Sequence, residues 1–390
     1  MADMNVDSRS IAASVDMIQG EQAHSSHSHL PPKPPRAPIL LPSLIIPFSI
    51  LGLLIRLGSV WIETFPGQQV FALAWPQFIG CVLMGLFVST RSWMEQGFVI
   101  AGRTSKGYWI GSFVYVALTS GLCGSITTFS SWSLGMTVEL LNPYEFSRHL
   151  LQNILSTLSE LVVTLALSMT GLQLGTHFGE AIMSLVRTQE TSTSSTEATH
   201  HLPPQDAQSI VTANPNPALP PPHWTALDIT LIVTCAIVWM SMIVAMIFIP
   251  ETSRSSWRHV ILATCFAPPG AILRWYLSRF NSRIKFFPVG TFAANLGGSL
   301  ILAGVVCLQH TPVADQNPLV CQVLSGLQDG FCGCLTTVST FALELRTLPR
   351  RASYCYGVIS VAVAQLGMLI VLGAFIMTRM STGDDDGDDN

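Results

Sequence analysis

The chain has 390 residues and a formal net charge of −4, and 49% of its residues are hydrophobic while only 11% are charged. Its mean hydropathy is +0.46. Because soluble domains carry about 25% charged residues, this composition excludes an ordinary soluble protein and predicts an all-α polytopic membrane protein.

The predicted elements begin with a polar tail over residues 1–38, rich in Ser, His and Pro, which we expect to be disordered. Apolar stretches of about 20 residues then predict membrane-spanning helices. The nine predicted spans lie near 39–62, 69–89, 108–139, 150–176, 228–249, 257–277, 287–309, 319–345 and 353–378. A flexible linker rich in Thr, Ser and Pro is predicted over 177–227, and an acidic tail over 379–390.

The third and eighth spans contain the same polar signature in the same register. Residues 121–132 read GLCGSITTFSSW, and residues 330–341 read GFCGCLTTVSTF. Glycines and hydroxyl side chains are costly at membrane depth unless they line a cavity or a helix interface. A duplicated span that is interrupted by glycines in this way is a sequence indicator of a transport pathway.

Two further motifs recur in the same order in both parts of the chain. GLLIR at 52–56 corresponds to GAILR at 270–274, and QFIG at 77–80 corresponds to NLGG at 295–298. The second half of the chain therefore repeats the first.

The repeats cover 39–176 and 257–378, and the span at 228–249 belongs to neither. An odd connecting helix makes the second repeat enter the membrane from the opposite side. The sequence therefore predicts two inverted four-helix repeats joined by one connecting transmembrane helix.

The order G-x-x-x-R, N-x-x-G and G-x-x-G-x-x-T-T-F-S-T-F resembles the Fluc/CrcB fluoride channel family, and the fused pair with one extra helix is similar to its two-domain eukaryotic members. The resemblance covers both repeats. It implies a passive, fluoride-selective channel that exports fluoride from the cytoplasm and is not an enzyme. Because the bacterial members dimerise antiparallel, it also implies that this single chain contains the functional dimer. Fluoride and the lipid bilayer are the expected partners.

The resemblance implies that each pore takes one aromatic residue from each repeat. One pore would pair Phe129 with Phe341, and the other would pair Trp132 with Val338. Ring edges are electropositive and can, like hydroxyl and amide donors, replace the water around fluoride. Ordinary helix packing is the alternative role for such rings.

The buried asparagine of the motif is present once, as Asn295, while Gln77 occupies the matching position. We therefore expect one working pore and one degenerate pore, and assign Gln77, Trp132 and Val338 to the degenerate one. The remaining residues expected in the fluoride pore are Thr128, Ser130, Thr337, Ser339, Thr340 and Glu344.

Glu344 lies three residues after Phe341 and so shares its helical face. An acid inside the membrane is a functional candidate by default. It could equally be a structural partner of Arg346 or Arg350. It is also the one serious candidate for the titratable group of a proton-coupled secondary transporter, which is the main alternative function. A non-conducting membrane interaction protein is a second alternative.

The resemblance further implies a structural sodium ion, held by backbone carbonyl groups where the two motif helices break. The matching positions are Gly124 and Thr127 in one repeat and Gly333 and Thr336 in the other. The glycines could instead serve only to let helices cross closely.

Arg56 and Arg274 each follow a glycine by four residues in matching spans. In a vestibule they would raise the local fluoride concentration, and near a span end they could extend toward the membrane surface. Both interpretations are open at the level of sequence.

The orientation follows from the distribution of basic residues. Thirteen of the nineteen Lys and Arg residues fall on the side that holds the N-terminal tail. Because basic loops stay in the cytoplasm, we expect a multi-pass protein of the plasma membrane with a cytoplasmic N-terminus and an extracellular C-terminus.

Overall fold

The computed structural model describes residues 37–95, 105–143, 146–197, 226–248 and 256–384. Their regular secondary structure is helical, apart from an isolated antiparallel bridge between Ile284 and Phe287. The tail predicted over 1–38 lies outside the described residues except for its last two positions.

The described residues of the first half form five helices of at least twelve residues. They are α1 (Ala37–Glu63), α2 (Ala74–Ser89), α3 (Ser105–Val116), α4 (Phe129–Leu141) and α5 (Leu150–Glu197). Helix α3 continues as π-helical turns over Ala117–Cys123 and ends in one α-helical turn, Gly124–Ile126. The predicted third span is therefore a helix that breaks between α3 and α4.

The rest of the described chain begins with the connecting helix α6 (Ala226–Phe248). It is followed by α7 (Ser256–Ser278), α8 (Val289–Gln309), α9 (Pro312–Gln316), α10 (Pro318–Gly326), α11 (Ser339–Thr347) and α12 (Arg350–Asp384). Helix α10 also continues as π-helical turns, Leu327–Cys332, and ends in one α-helical turn, Gly333–Leu335. The eighth predicted span thus breaks in the same way as the third.

Seven segments of the described chain are long and apolar enough to cross a membrane. They lie over Ile39–Glu63, Gly111–Leu141, Leu150–Val186, Ala226–Phe248, Arg258–Ser278, Val289–Gln309 and Arg350–Thr378. The other two predicted spans correspond to the shorter apolar helix α2 and to the interrupted pair α10 and α11. The predicted class, an all-α polytopic membrane protein, is confirmed.

The linker predicted over 177–227 starts later than expected, because α5 continues to Glu197. At about 1.5 Å per residue, a helix of 48 residues is far longer than a hydrocarbon layer of about 30 Å, so its end projects beyond the bilayer. Residues 198–225 lie outside the described part of the chain. The acidic tail predicted over 379–390 likewise starts later, since α12 runs to Asp384 and the described residues end there.

Helix α6 packs against α1 and α7 and otherwise exposes its apolar side chains. Two of its contacts bear on its predicted role as a connecting helix. Cys235 is buried, and Trp239 donates a hydrogen bond from Nε1 to the carbonyl oxygen of Cys265 at 3.0 Å. The connecting helix is therefore tied to α7 by a polar contact that its apolar sequence did not indicate.

Replacing Trp239 with phenylalanine should lower the free energy of unfolding by about 1 kcal/mol, because one partly buried hydrogen bond is lost and the Cys265 carbonyl is left unpaired. Thermal unfolding of the purified protein in detergent measures the change. Trp61→Phe is the matched control, since Trp61 is 81% exposed on α1. Equal melting temperatures for the two variants would mean that the Trp239 hydrogen bond contributes nothing.

Candidate functional site

The helix breaks fall inside the duplicated motif. In the first half Thr127 (φ −90°, ψ 149°) and Thr128 (φ −143°, ψ 127°) adopt extended backbone conformations. In the second half Thr336 (φ −94°, ψ 157°) is extended in the same way. Extended residues interrupt the helical hydrogen-bond ladder, so polar backbone groups become available at the centre of a span.

A side-chain amide holds each break. Asn295 on α8 donates from Nδ2 to the Thr337 carbonyl at 3.1 Å and accepts from the Thr337 N–H at 2.8 Å. Gln77 on α2 donates from Nε2 to the Thr128 carbonyl at 2.7 Å and accepts from the Thr128 N–H at 3.3 Å. Gln77 therefore makes the same pair of bonds as Asn295, although the sequence assigned it to a degenerate pore.

Buried hydroxyl groups from both halves meet at the breaks. Thr128 Oγ1 lies 3.2 Å from Thr336 Oγ1, and Ser130 Oγ lies 3.0 Å from the same atom. On the other side, Thr337 Oγ1 and Ser339 Oγ lie 3.2 Å apart. Thr340 lies in the first turn of α11 and is only partly buried. The predicted hydroxyl residues are thus brought together from positions about two hundred residues apart.

The aromatic residues of the motif form one buried cluster. Phe129 and Phe341 come from different halves, and their rings meet edge to face with centroids 5.5 Å apart. Trp132 packs against Phe129 at 5.2 Å in the same manner. Val338 belongs to the same cluster, so the two predicted ring pairs are not separated in space. Phe341 and Phe129 are the ring pair formed across the two halves.

Glu344 is bound by three polar side chains. Its Oε1 accepts from Thr291 Oγ1 at 2.6 Å and from Asn281 Nδ2 at 3.0 Å, and its Oε2 accepts from Tyr356 Oη at 2.7 Å. Arg346, an alternative partner considered for it, donates instead to Thr176 Oγ1 at 3.1 Å. The carboxyl group is therefore part of a polar network within the second half.

Tyr356 connects this network to the rings, and sequence reasoning missed it. Its ring lies 5.3 Å from that of Phe341. Ser360, one turn further along α12, is buried, and its hydroxyl has no hydrogen-bond partner among the described residues. The signal was available in the sequence, since a tyrosine and a serine four residues apart in an apolar span share one helical face.

The first half carries a related column of polar residues on α5. Glu160, Thr164 and Ser168 are spaced by four residues and are all buried. The Thr164 and Ser168 hydroxyls have no hydrogen-bond partner in the described structure. A Cβ atom added to Gly135 would lie closest to the Glu160 carboxyl group. Gly135 matches Glu344 in the motif, so both halves place a carboxyl group at this point, but from different helices.

The two arginines of the G-x-x-x-R motifs are buried and donate to backbone carbonyl groups at the breaks, most of them in the opposite half. Arg274 donates from Nη1 to the carbonyl oxygens of Gly124 at 2.6 Å and Thr336 at 3.1 Å, and from Nη2 to that of Ser120. Arg56 donates from Nη1 to the Gly333 carbonyl at 2.8 Å.

Arg56 also donates from Nη2 to the Asp329 carbonyl. Only 2% of Arg56 and 4% of Arg274 are exposed. The vestibule position expected for the two arginines is therefore not where the structure places them. Both are buried because carbonyl groups released by the breaks offer better partners than lipid or a membrane surface.

The same carbonyl groups include those predicted to hold sodium. The oxygens of Gly124, Gly333 and Thr336 each accept a guanidinium N–H. A carbonyl oxygen has two lone pairs, so each can accept this bond and still face a cation. The nearby guanidinium charges oppose a second cation, so these oxygens fit a weakly held monovalent ion better than a tightly held one.

Fold and site together define a multi-pass membrane protein in which two related halves meet at a buried cluster of hydroxyl, aromatic and guanidinium groups. The family model described as CrcB-like protein, Camphor Resistance (CrcB) matches residues 43–175 and 261–376. The chain belongs to this family.

Several curated proteins are similar to the chain over most of its length. Fluoride export protein 1 of Candida albicans is 30% identical over 342 residues, which cover 85% of this chain and 78% of that protein. Fluoride export protein 1 of Schizosaccharomyces pombe is 32% identical, and the match covers 86% of this chain and 96% of that protein. These names describe ion export rather than enzymes, as the sequence predicted.

A bacterial relative matches only part of the chain. The fluoride-specific ion channel FluC of Pseudomonas paraeruginosa is 35% identical over 129 residues, which are 32% of this chain and 97% of that protein. One bacterial chain therefore corresponds to one half of this protein. No solved structure matches the chain.

Proposed function

We propose that this protein is a passive, fluoride-selective channel that exports fluoride from the cytoplasm and works as a single chain. The observation that carries the proposal is the ring pair of Phe129 and Phe341, which is built from both halves and lies beside buried hydroxyl groups. The fluoride-specific name of the half-length bacterial relative agrees with a pathway shared by two such halves.

The chemistry of the cluster suits a small, strongly hydrated anion. Fluoride can leave water only if ring edges, hydroxyl groups and amide groups replace its hydration shell without binding it too tightly. Tyr356 and Ser360 continue a line of such groups from Phe341 along α12. We assign the conducting route to this line, with Glu344 at its side.

One working pathway, on the side of Phe341, follows from the differences between the halves. The second half places Tyr356 next to the rings. Both halves have a carboxyl group at the matching point, Glu344 and Glu160, so the carboxyl groups do not distinguish the two sides. The loss of a ring at Val338 supports a non-conducting second pore.

The test of the function is fluoride efflux from liposomes that contain the purified protein, measured with a fluoride electrode. We expect fluoride to leave only when valinomycin carries compensating potassium, because a channel moves net charge. Chloride efflux under the same conditions should stay near that of empty liposomes. Absence of fluoride efflux from correctly oriented, folded protein would exclude the channel and favour a non-conducting membrane protein.

Glu344→Gln should separate the channel from a proton-coupled transporter. Because the carboxyl group accepts three hydrogen bonds, its replacement should slow fluoride efflux by about tenfold, yet the requirement for valinomycin should remain. Efflux with and without the ionophore gives the measurement, and Glu63→Gln at the end of α1 is the control. Wild-type efflux that needs no ionophore, and loses its proton coupling in Glu344→Gln, would establish the transporter instead.

The proposed setting is the plasma membrane, with a cytoplasmic N-terminus and an extracellular C-terminus. The excess of basic residues on the N-terminal side supports this orientation. Hydrogen fluoride crosses membranes as a neutral acid and ionises inside, and a negative-inside potential drives the anion outward through a channel. Accessibility of tags at the two termini in intact cells tests the orientation.

The sodium ion remains a proposal about structure rather than transport. Carbonyl oxygens at Gly124, Thr127, Gly333 and Thr336 would hold it, and it would supply positive charge where two helix breaks meet. The extended conformations of Thr127 and Thr336 support the assignment. Thermal unfolding in sodium chloride and in N-methyl-D-glucamine chloride tests it, and identical melting temperatures would count against a bound ion.

A further inference from the structure

The helices that carry the motif rings begin within three residues of an extended threonine. Helix α4, which carries Phe129, starts at Phe129 itself, and α11, which carries Phe341, starts at Ser339. The first N–H groups of any helix have no partner within that helix and need an acceptor from elsewhere. At the centre of a membrane protein, water is not the acceptor, so the partner must come from the chain.

In this protein each of these helix starts is capped by a threonine of the opposite half. Thr336 Oγ1 accepts from the N–H groups of Phe129 at 3.1 Å and Ser130 at 3.0 Å. Thr127 Oγ1 accepts from the N–H groups of Val338 at 3.2 Å and Ser339 at 3.1 Å. The arrangement is reciprocal, and the capping atom is more than two hundred residues away from the helix that it caps.

Both hydroxyl groups are surrounded by local partners. The two accepted N–H bonds occupy the two lone pairs of each, so its one proton goes to a neighbouring acceptor. The carbonyl four residues earlier is one such acceptor, that of Cys123 for Thr127 at 3.2 Å and that of Cys332 for Thr336 at 3.0 Å. The others are hydroxyl oxygens of the opposite half at 3.0 to 3.2 Å, those of Thr337 and Ser339 for Thr127 and those of Thr128 and Ser130 for Thr336. Neither threonine is exposed. These two side chains therefore hold backbone in place and are not donors for a passing anion.

The methyl groups of the same threonines are also fixed. A Cβ atom added to Gly80 on α2 would overlap Cγ2 of Thr127, and one added to Gly298 on α8 would overlap Cγ2 of Thr336. The two glycines thus leave the space that the threonine methyl groups occupy. Each threonine is held by its own half through the methyl group and caps the other half through the hydroxyl group.

We propose that Thr127 and Thr336 are reciprocal positioning residues that set where the ring-bearing helices begin. Thr127 fixes the start of α11 and so places Phe341 and Glu344, while Thr336 fixes the start of α4 and so places Phe129. The ring contact across the halves then depends on two threonine side chains that bond to backbone N–H groups of the opposite half. The transport measurement described next rests on the proposed function, whereas the positioning role itself does not.

The experiment compares Thr127→Val and Thr336→Val with the corresponding serine variants. Valine keeps the shape and loses the cap, whereas serine keeps the cap. We expect the valine variants to lower fluoride efflux from liposomes by about tenfold, because buried N–H groups lose their acceptor, and the serine variants to remain within about twofold of the unaltered protein. Thr264→Val is the matched control, since Thr264 is buried and donates to the carbonyl of Ile261 in its own helix.

A second measurement does not depend on transport. A 4-fluorophenylalanine label at position 341 or 129 reports the ring environment by ¹⁹F NMR. Thr127→Val should shift the resonance of the label at 341 more than that at 129, and Thr336→Val should do the reverse. If a valine variant does not fold, a cysteine variant, whose thiol is a weaker acceptor, takes its place with the same expected direction.

Equal efflux of the valine and serine variants would overturn the proposal. So would a Thr127→Val shift that is as large at position 129 as at 341, because the cap would then not act across the halves. If the unaltered protein moves no fluoride, the proposed function fails, while the ¹⁹F shifts still decide the role of the threonines.

Discussion

Replacing Phe341 with alanine should lower fluoride efflux by about two orders of magnitude, which corresponds to about 3 kcal/mol of lost stabilisation for the dehydrated ion. The Phe341 ring contacts Phe129 of the other half and Tyr356 of α12. Its removal therefore separates those two side chains. Fluoride-electrode recordings from liposomes, normalised to the amount of inserted protein, give the ratio.

The matched control for this prediction is Val338→Ala. Val338 is as fully buried as Phe341 and lies three residues earlier, immediately before α11, but it has no ring. Its truncation should cost stability without removing a ligand, so efflux per folded protein should fall less than about threefold. Phe129→Ala should behave like Phe341→Ala. Similar losses for Val338→Ala and Phe341→Ala would show that packing, not the ring pair, limits conduction.

Replacing Arg274 with alanine should lower the free energy of unfolding by about 3 kcal/mol or more, because charged hydrogen bonds to three carbonyl groups disappear and those groups stay buried. Arg274→Lys should recover little, since one ammonium group does not reproduce the forked geometry of a guanidinium. Thermal unfolding monitored by size-exclusion chromatography provides the measurement.

Arg279→Ala is the control for charge alone. Arg279 lies five residues further along, is exposed, and stacks over Trp275 at 4.0 Å. Its removal deletes the same positive charge without unpairing the carbonyl groups at the breaks, so the melting temperature should change little. A melting temperature for Arg274→Ala that equals that of Arg279→Ala would refute a bracing role for the buried arginine.

Sequence reasoning identified the features that depend on chain-local chemistry. A low charged fraction and long apolar stretches predicted a polytopic helical protein, because the bilayer admits few other structures. The repeated motif predicted two helix breaks, and the residues at Thr127 and Thr336 are extended there. The pairing of Phe129 with Phe341 was implied by the family resemblance, and the structure brings the two rings into edge contact.

The end of α5 and the partners of Glu344 could not be predicted from the sequence. Residues 177–197 read as a polar linker, yet they continue α5, because a helix that is already formed extends cheaply through residues that do not break it. Glu344 showed the same limit for side chains. Its spacing placed it on the face of Phe341, but nothing local indicated Thr291, Asn281 and Tyr356 as its partners.

By itself the sequence determined the membrane class, the two repeats, the positions of the breaks and the residue types available to an anion, since each depends on composition or spacing within one span. The tertiary structure alone decided which half supplies each partner. Arg56 and Arg274 bind carbonyl groups of the opposite half, and Thr127 and Thr336 cap helices of the opposite half. The reason is physical: groups freed by a helix break in a membrane must find acceptors and donors nearby, and in this fold the nearest ones belong to the other repeat.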